Sequence, residues 1–216
     1  VYWIAEHDFF CASANDEFRA AYFRSLAHQV RHLFRIAPGT DKGGSRFVVI
    51  KALFYAAVAL PGYERRMDRA RRLLEQEIRR QILADGAHVE RCPLTHLTVL
   101  RTLVDIRTCL NAGGHDIPAL LGSAIGRMAP ALRAMRHGDG RLALFNGTNE
   151  GEAWLVEAIL AQANAPGRAP DELRHAGFQR LKAGRTLIIA DVGAPPPPEF
   201  DRMAHAGTLS FEMGIG

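Results

Sequence analysis

Apolar positions recur every third or fourth residue through most of this chain and then every second residue near its end. Phe18, Tyr22, Leu26, Val30 and Leu33 fall near the helical period, which predicts a helix capped by Asn15 or Asp16 and running to about Ile36. APGTDKGG (37–44) breaks that pattern. Ser45 then precedes an apolar helix through Leu60, stopped by Pro61 and Gly62. Tyr63 to Leu83 reads as an amphipathic, Arg/Glu-rich helix. A short irregular stretch, DGAHVERCP (85–93), follows. Thr95 is the predicted cap of the next helix, to about Leu110. After the turn NAGGH, Asp116 and Pro118 open another helix to about Arg136. HGDG (137–140) is a second turn, and Asn149 to Ala163 is the last helix.

These helices come in consecutive pairs joined by short turns, and several are apolar on more than one face. Layered helical barrels, in which outer helices cover inner ones, have this pattern, and so does an ordinary bundle. Beyond NAPGRAP (164–170) the period becomes 2. Gly177–Lys182 and Arg185–Asp191 flank Ala183-Gly184 and predict a β-hairpin. GAPPPPEF (193–200) is a rigid extended connector. Gly207–Met213 is a third strand. Three strands leave open edges and half a core, as the start of a truncated antiparallel β-sandwich would. The expected organisation is mainly α: an incomplete (α/α) toroid of paired helices over 1–165, truncated at its N-terminus, then the first sandwich strands over 166–216. The opening run VYWIAEHDFF, without an initiator Met or signal peptide, reads as the interior of a longer protein.

Composition narrows the function classes. Across 216 residues, 48% are hydrophobic and 23% charged, the balance of a globular chain. No apolar run approaches the roughly 20 residues of a membrane helix. A net charge of +4 is too small to argue for nucleic acid. The cations are nearly all Arg, with Lys only at Lys42, Lys51 and Lys182. Arg forks match carboxylates and sulfates, so acidic sugars fit as partners, although GC-rich coding gives the same bias. Cys11, Cys92 and Cys109 form neither a zinc pattern nor a disulfide framework.

The densest chemistry lies in Asp85–His96, DGAHVERCPLTH, where His88, Glu90, Cys92 and His96 fall within nine positions. Gly86 permits a tight turn and Pro93 disfavours helix at Cys92. One chemistry for such a loop is proton abstraction beside a carboxylate, as in β-elimination of a uronic acid. That reaction needs a neutraliser for the carboxylate, a base, and an acid for the leaving oxygen. His88 suits the first role. Glu90 holds its tautomer or grips a sugar hydroxyl, and His96 faces the same groove from the next helix. H-x-E-x-C-x-x-x-H also offers metal ligands, as a metal-dependent hydrolase would need. A third reading makes both histidines helix-end caps or partners of Glu90. His28 and His32, i and i+4 on a helix, read as a solvated face, and His137 as a turn residue. GTNEGE (147–152) reads as a helix start with Asn149 as cap.

The run QILADGAHVERCPLTH (81–96) resembles the Q-x-x-x-D-G-x-H/Q-x-E-x-S/N-P-x-x-H signature of heparinase II/III-like polysaccharide lyases. MRHGDGRLALFNG (135–147) looks like a later turn of the same toroid. GFQRLKAGRTLIIADVG (177–193) and AHAGTLSFEM (204–213) look like the start of the β-sandwich. The resemblance implies a carbon–oxygen lyase that cleaves uronic-acid polysaccharides by β-elimination in a groove between toroid and sandwich, in bacteria, with the periplasm as one compartment. It places the neutralising residue at His88 and its acidic neighbour at Glu90, with Arg91 and Asn146 as substrate-binding candidates. No cofactor is implied for the elimination. A structural zinc or calcium is implied in the complete β domain, with His205 as its ligand here. Two positions depart from the family. Its catalytic Tyr follows the neutraliser by some fifty to sixty residues, whereas Tyr2, Tyr22, Tyr55 and Tyr63 all precede His88, and the aromatic in that later region is Phe145. His96 or another His would then take the place of that Tyr. Its H-x-H-x-D-x-x-S-F motif reads here as Met203 to Phe211, with only His205 kept of the two histidines. A catalytically altered, acidic-glycan-binding member is the alternative that these departures allow.

Overall fold

The structure is a computed structural model that describes residues 1–39, 43–149, 151–205 and 207–215. Its helices are α1 (Tyr2–Ala5), α2 (His7–Cys11), α3 (Asp16–Ile36), α4 (Ser45–Ala59), α5 (Met67–Gln81), α6 (Pro93–Ala112), α7 (Ala119–Ala134) and α8 (Ala153–Ala163). The Asn15 side chain accepts from the Phe18 amide at 2.8 Å and starts α3 as expected. Tyr22, Leu26, Val30 and Phe34 form its buried stripe. Helices α4 and α6 are apolar nearly all round and pack on each other at the centre, with Phe47, Ile50, Leu53 and Phe54 against a core that includes Leu100, Leu103 and Ile106. The Arg/Glu-rich α5 contributes only Met67, Ala70, Leu74 and Ile78 to that core and covers it from outside. Inner helices covered by outer ones are what the two-faced apolar patterns predict.

Boundaries differ where the local chemistry competes. Pro93 takes the first position of α6, where its missing N–H costs no helical bond, so Cys92 rather than Thr95 is the cap. Glu152 precedes α8, which starts later than Asn149. Helices α1 and α2 are too short to announce themselves by period; they bring Trp3 and Phe10 onto Tyr22. Residues 40–42 of the APGTDKGG breaker, Glu150 of GTNEGE, Ala206 and Gly216 lie outside the described residues.

Strands β1 (Glu172–Leu173), β2 (Phe178–Ala183), β3 (Thr186–Asp191) and β4 (Phe211–Ile215) form an antiparallel sheet in that order. Ala183 pairs with Thr186, so the hairpin turns on Gly184-Arg185, one residue later than expected. Gly184 takes the positive φ (58°) that such a turn requires. Strand β4 begins at Phe211 rather than Gly207, and the two-residue β1 carries no pattern of its own. The inner face presents Leu173, Phe178, Leu187 and Ile189 to Ala131, Ala134 and Met135 at the end of α7 and to Phe145 beyond the following turn, which forms a second core beside the helical one. On the outer face Leu181, Ile188 and Met213 lie in one cross-strand row, with Leu181 58% and Met213 57% exposed. That is the apolar face that the second layer of a sandwich covers.

Candidate functional site

The stretch after α5 folds back on itself at once. Ile82 bridges His88, the Leu83 amide donates to Ala87 O, and the Val89 amide donates to Gln81 O. Gly86 makes this turn at φ 88°, and a Cβ there would sit 2.2 Å from the Arg127 carbonyl oxygen of α7. Only glycine allows both the dihedral and the approach.

Both histidines of the motif point inward; each is 1% exposed. The partners of each ring fix its protonation. A buried ion pair between Arg46 of α4 and Glu77 of α5 begins the chain of contacts. Glu77 Oε2 accepts from Gln81 Nε2 at 2.7 Å, which turns Gln81 Oε1 toward His88 Nε2 at 2.9 Å. His88 therefore carries its proton on Nε2, and its Nδ1 accepts from the Glu90 amide at 3.3 Å. His96 Nδ1 accepts from the His88 amide at 3.2 Å, and its Nε2 donates to Met128 O at 2.9 Å. All four ring nitrogens are satisfied with both rings neutral. Burial, together with the charge of the neighbouring His96, pushes the His88 pKa down to about 3. Burial pushes His96 down to about 4, against the opposing pull of the Met128 carbonyl and Asp85. The rings brace α4, α5, α6 and α7 from within and do not open onto a groove.

Arg91 and Asn146 are also consumed internally. Arg91 is 6% exposed; its Nε donates to Ala176 O at 2.5 Å, Nη1 donates to Ala194 O, and Nη2 pairs with the buried Asp191 carboxylate. Its guanidinium stacks over Phe178 of β2 at 5.2 Å. Asn146 Nδ2 donates to Arg91 O at 3.0 Å, and Asn146 Oδ1 accepts from the His205 amide at 3.1 Å. Asp85 Oδ2 accepts from the His175 and Ala176 amides at 2.7 and 2.9 Å. Gly193 lies so close that a Cβ would come within 2.7 Å of Arg91 Nη2. Motif residues thus bolt the sheet to the helical body.

Glu90 differs from its neighbours. It is half-buried, and its Oε1 accepts from the Gly44 amide at 2.8 Å. Its side chain lines a cleft of about 780 Å³ between the start of α4, the first turns of α6, and residues 199–203 after the Pro-rich connector. Ser45, Thr95 and Thr98 bring hydroxyls to it, Arg202 a guanidinium, and Val48 and Phe200 apolar surface. Thr148, on the neighbouring loop, accepts from the Leu94 amide at 3.2 Å and touches Cys92 Sγ at 3.3 Å. Met203 lies on the cleft wall, and His205, two residues on, is exposed. Among the described residues no group of three His, Cys, Asp or Glu side chains is placed to hold a metal, so the residues around His205 do not by themselves fit zinc or calcium. His28 and His32 are exposed, and His32 contacts Arg35. His137 does more than turn the chain: its Nε2 pairs with Glu212 of β4 at 2.8 Å.

Gln81, Glu77 and Arg46 were not singled out by sequence reasoning. Gln81 stands first in the quoted signature, which was the available signal. Glu77 lies one helical turn earlier on the same face, and Arg46 gives no signal before the helices are packed.

Comparison with known proteins follows the same division. A family model described as the heparinase II/III N-terminus matches residues 4–165, and one described as heparinase II/III-like, C-terminal, matches residues 165–216. FtsZ-localized protein C of Caulobacter vibrioides is 30% identical over 202 residues, 94% of this chain and 35% of that protein. Crystalline heparinase III superposes with a TM-score of 0.80 at 14% identity, over 97% of this chain and 39% of that one. A mutant heparan sulfate lyase of Pedobacter heparinus gives 0.64 at 20% identity, over 92% and 34%. The chain spans little more than a third of each of these relatives. Among the described residues no helix is long and apolar enough to cross a membrane.

Proposed function

The chain belongs to the heparinase II/III-like family, and from that premise we propose that the protein carrying it cleaves uronic-acid-containing polysaccharide by β-elimination, with the cleft beside Glu90 as part of the substrate groove. The observation that carries this reading is the cleft itself: motif residue Glu90 meets the 199–203 segment across about 780 Å³, with hydroxyl, cationic and apolar groups on its walls. Sugars take that mixture, hydrogen bonds at their edges and apolar contact at their faces. Arg202 is the cation on this wall suited to a uronate carboxylate. Glu90 grips a sugar hydroxyl. His88 and His96 act as positioning residues, since a neutral ring enclosed on all sides holds Glu90 in place without meeting substrate. His205, exposed beside the cleft wall, is the imidazole that carries the proton. The elimination takes the C5 proton onto His205, breaks the C4–O bond with a proton returned to the leaving oxygen, and leaves a C4–C5 double bond conjugated with the carboxylate.

The test is absorbance near 232 nm with the full-length protein on heparin, heparan sulfate, chondroitin sulfate, alginate and pectate. The reading expects a rise on at least one polymer, abolished in His205→Ala with an unchanged unfolding midpoint. A flat trace on all five would reject it. A second reading, a family member that binds acidic glycans without cleaving them, draws on the burial of both motif histidines and on the lack of a Tyr after Tyr63. Glycan binding lost on Glu90 substitution, with no turnover, would favour it.

A further inference from the structure

A second groove lies along the inner face of the sheet, toward the hairpin turn. Two adjoining cavities, of about 610 and 430 Å³, share His137 and Arg180. Neither shares a lining residue with the cleft beside Glu90. The construction follows from strand alternation. Phe178, Arg180 and Lys182 lie on one face of β2; Phe178 ends in the core, and the two cations project beyond its edge along the groove. Arg185 at the hairpin turn lines it too, and Arg133 and Arg136 come from the end of α7.

Five fixed cations therefore face three carboxylates, Asp139, Glu157 and Glu212. Those carboxylates are already engaged. Glu157 pairs with Arg136 at 2.7 Å, and Glu212 accepts from His137 at 2.8 Å and from the Leu144 amide at 2.6 Å. Asp139 accepts from the Arg141 amide at 2.9 Å. Two of the cations keep unused capacity: Arg133 Nη1 and Arg180 Nε are buried without any hydrogen-bond partner, although buried polar atoms are almost always paired. Trp154, one turn before Glu157 on α8, is 67% exposed.

We propose that this groove binds an anionic oligosaccharide, with carboxylate or sulfate groups held by Arg133, Arg180, Lys182 and Arg185 and a sugar ring against Trp154. The ligand class rests on the acidic-polysaccharide reading above; the site is separate from the cleft. Guanidinium forks spaced along a strand and a helix end suit a chain whose charges repeat from sugar to sugar.

The test is fluorescence anisotropy of a labelled heparin decasaccharide on the full-length protein and on Lys182→Glu/Arg185→Glu, both exposed on the hairpin. The proposal expects affinity to fall roughly tenfold or more in the variant with its unfolding midpoint unchanged, and Trp154→Ala to weaken binding as well. Lys182→Gln/Arg185→Gln provides a milder version should charge reversal disturb folding. Affinity unchanged in both double variants would overturn the proposal. Equal binding of single-stranded DNA of matched charge would overturn the glycan assignment. The outcome separates cleanly from the lyase reading: no 232 nm product with hairpin-dependent heparin binding sinks the lyase alone, and turnover with hairpin-independent binding sinks this groove alone.

Discussion

Replacing Arg91 by Met removes the bolt between helical body and sheet while keeping the length of the side chain. Three donors vanish at once. The Asp191 carboxylate, 2% exposed, loses its counter-charge and, among the described residues, keeps the Gly193 amide at 3.2 Å. Breaking a buried ion pair from one side costs about 3–5 kcal/mol, because an uncompensated charge remains. The Ala176 carbonyl, on a residue 1% exposed, also loses its donor, which adds about 1–3 kcal/mol. The Ala194 residue is exposed, so water replaces the bond there. The sum is about 4–8 kcal/mol, partly offset by Met packing on Phe178. Urea unfolding measures the total, and hydrogen exchange locates it. Val192 N–H, bonded to Gly177 O at 2.8 Å, and the β2–β3 ladder should lose protection before the amides of α6 do. Arg91→Met/Asp191→Asn should recover about 2 kcal/mol or more relative to the single variant, because no buried charge is then unpaired. A loss below about 1 kcal/mol, or a double variant no better than the single one, would refute the bolt.

The histidine pair predicts a pH dependence of definite sign. Both folded-state pKa values lie below the ordinary one, so the unfolded chain binds more protons, and stability is full above about pH 6.5 and falls toward pH 4. From pH 7 to 5 the two rings contribute a loss of about 4 kcal/mol, and His88→Gln/His96→Gln should flatten that slope whatever its absolute stability; an unchanged slope counts against the assignment. Gly86→Ala should destabilise by roughly 3 kcal/mol or more, since the new Cβ meets Arg127 O at a φ of 88°; a change under about 1 kcal/mol in a denaturation curve would show that the turn gives way. Glu90→Gln keeps an acceptor for the Gly44 amide, so stability should move by less than about 1 kcal/mol while glycan turnover or affinity drops at least tenfold; equal loss of both would make Glu90 structural.

The longer helices were legible from their apolar periods: Phe18, Tyr22, Leu26, Val30 and Leu33 marked α3, and the structure sets its buried stripe at Tyr22, Leu26, Val30 and Phe34. The hairpin was legible to within one residue for the same reason at period 2. Site chemistry was legible only in part. A run of polar residues between helices reads as exposed, and Glu90 fits that rule. His88 breaks it because Gln81, seven residues earlier, supplies the partner that lets an imidazole be buried. Arg91 and Asn146 read as ligand-binding groups since their partners lie far along the chain, at Ala176, Asp191, Ala194 and His205. Type and spacing reveal that a side chain has bonds to make, and only the fold reveals whether protein or substrate makes them.

The central claim is that the motif acts as a frame, with its histidines enclosed and Glu90 turned to the cleft. Imidazole nitrogen NMR tests this most directly, with signals assigned through His88→Gln and His96→Gln. The account predicts that His88 and His96 both remain neutral, protonated on Nε2, and do not titrate between pH 8 and about 5. Titration of either ring near its ordinary value of about 6.5 would place it in contact with solvent and contradict the account.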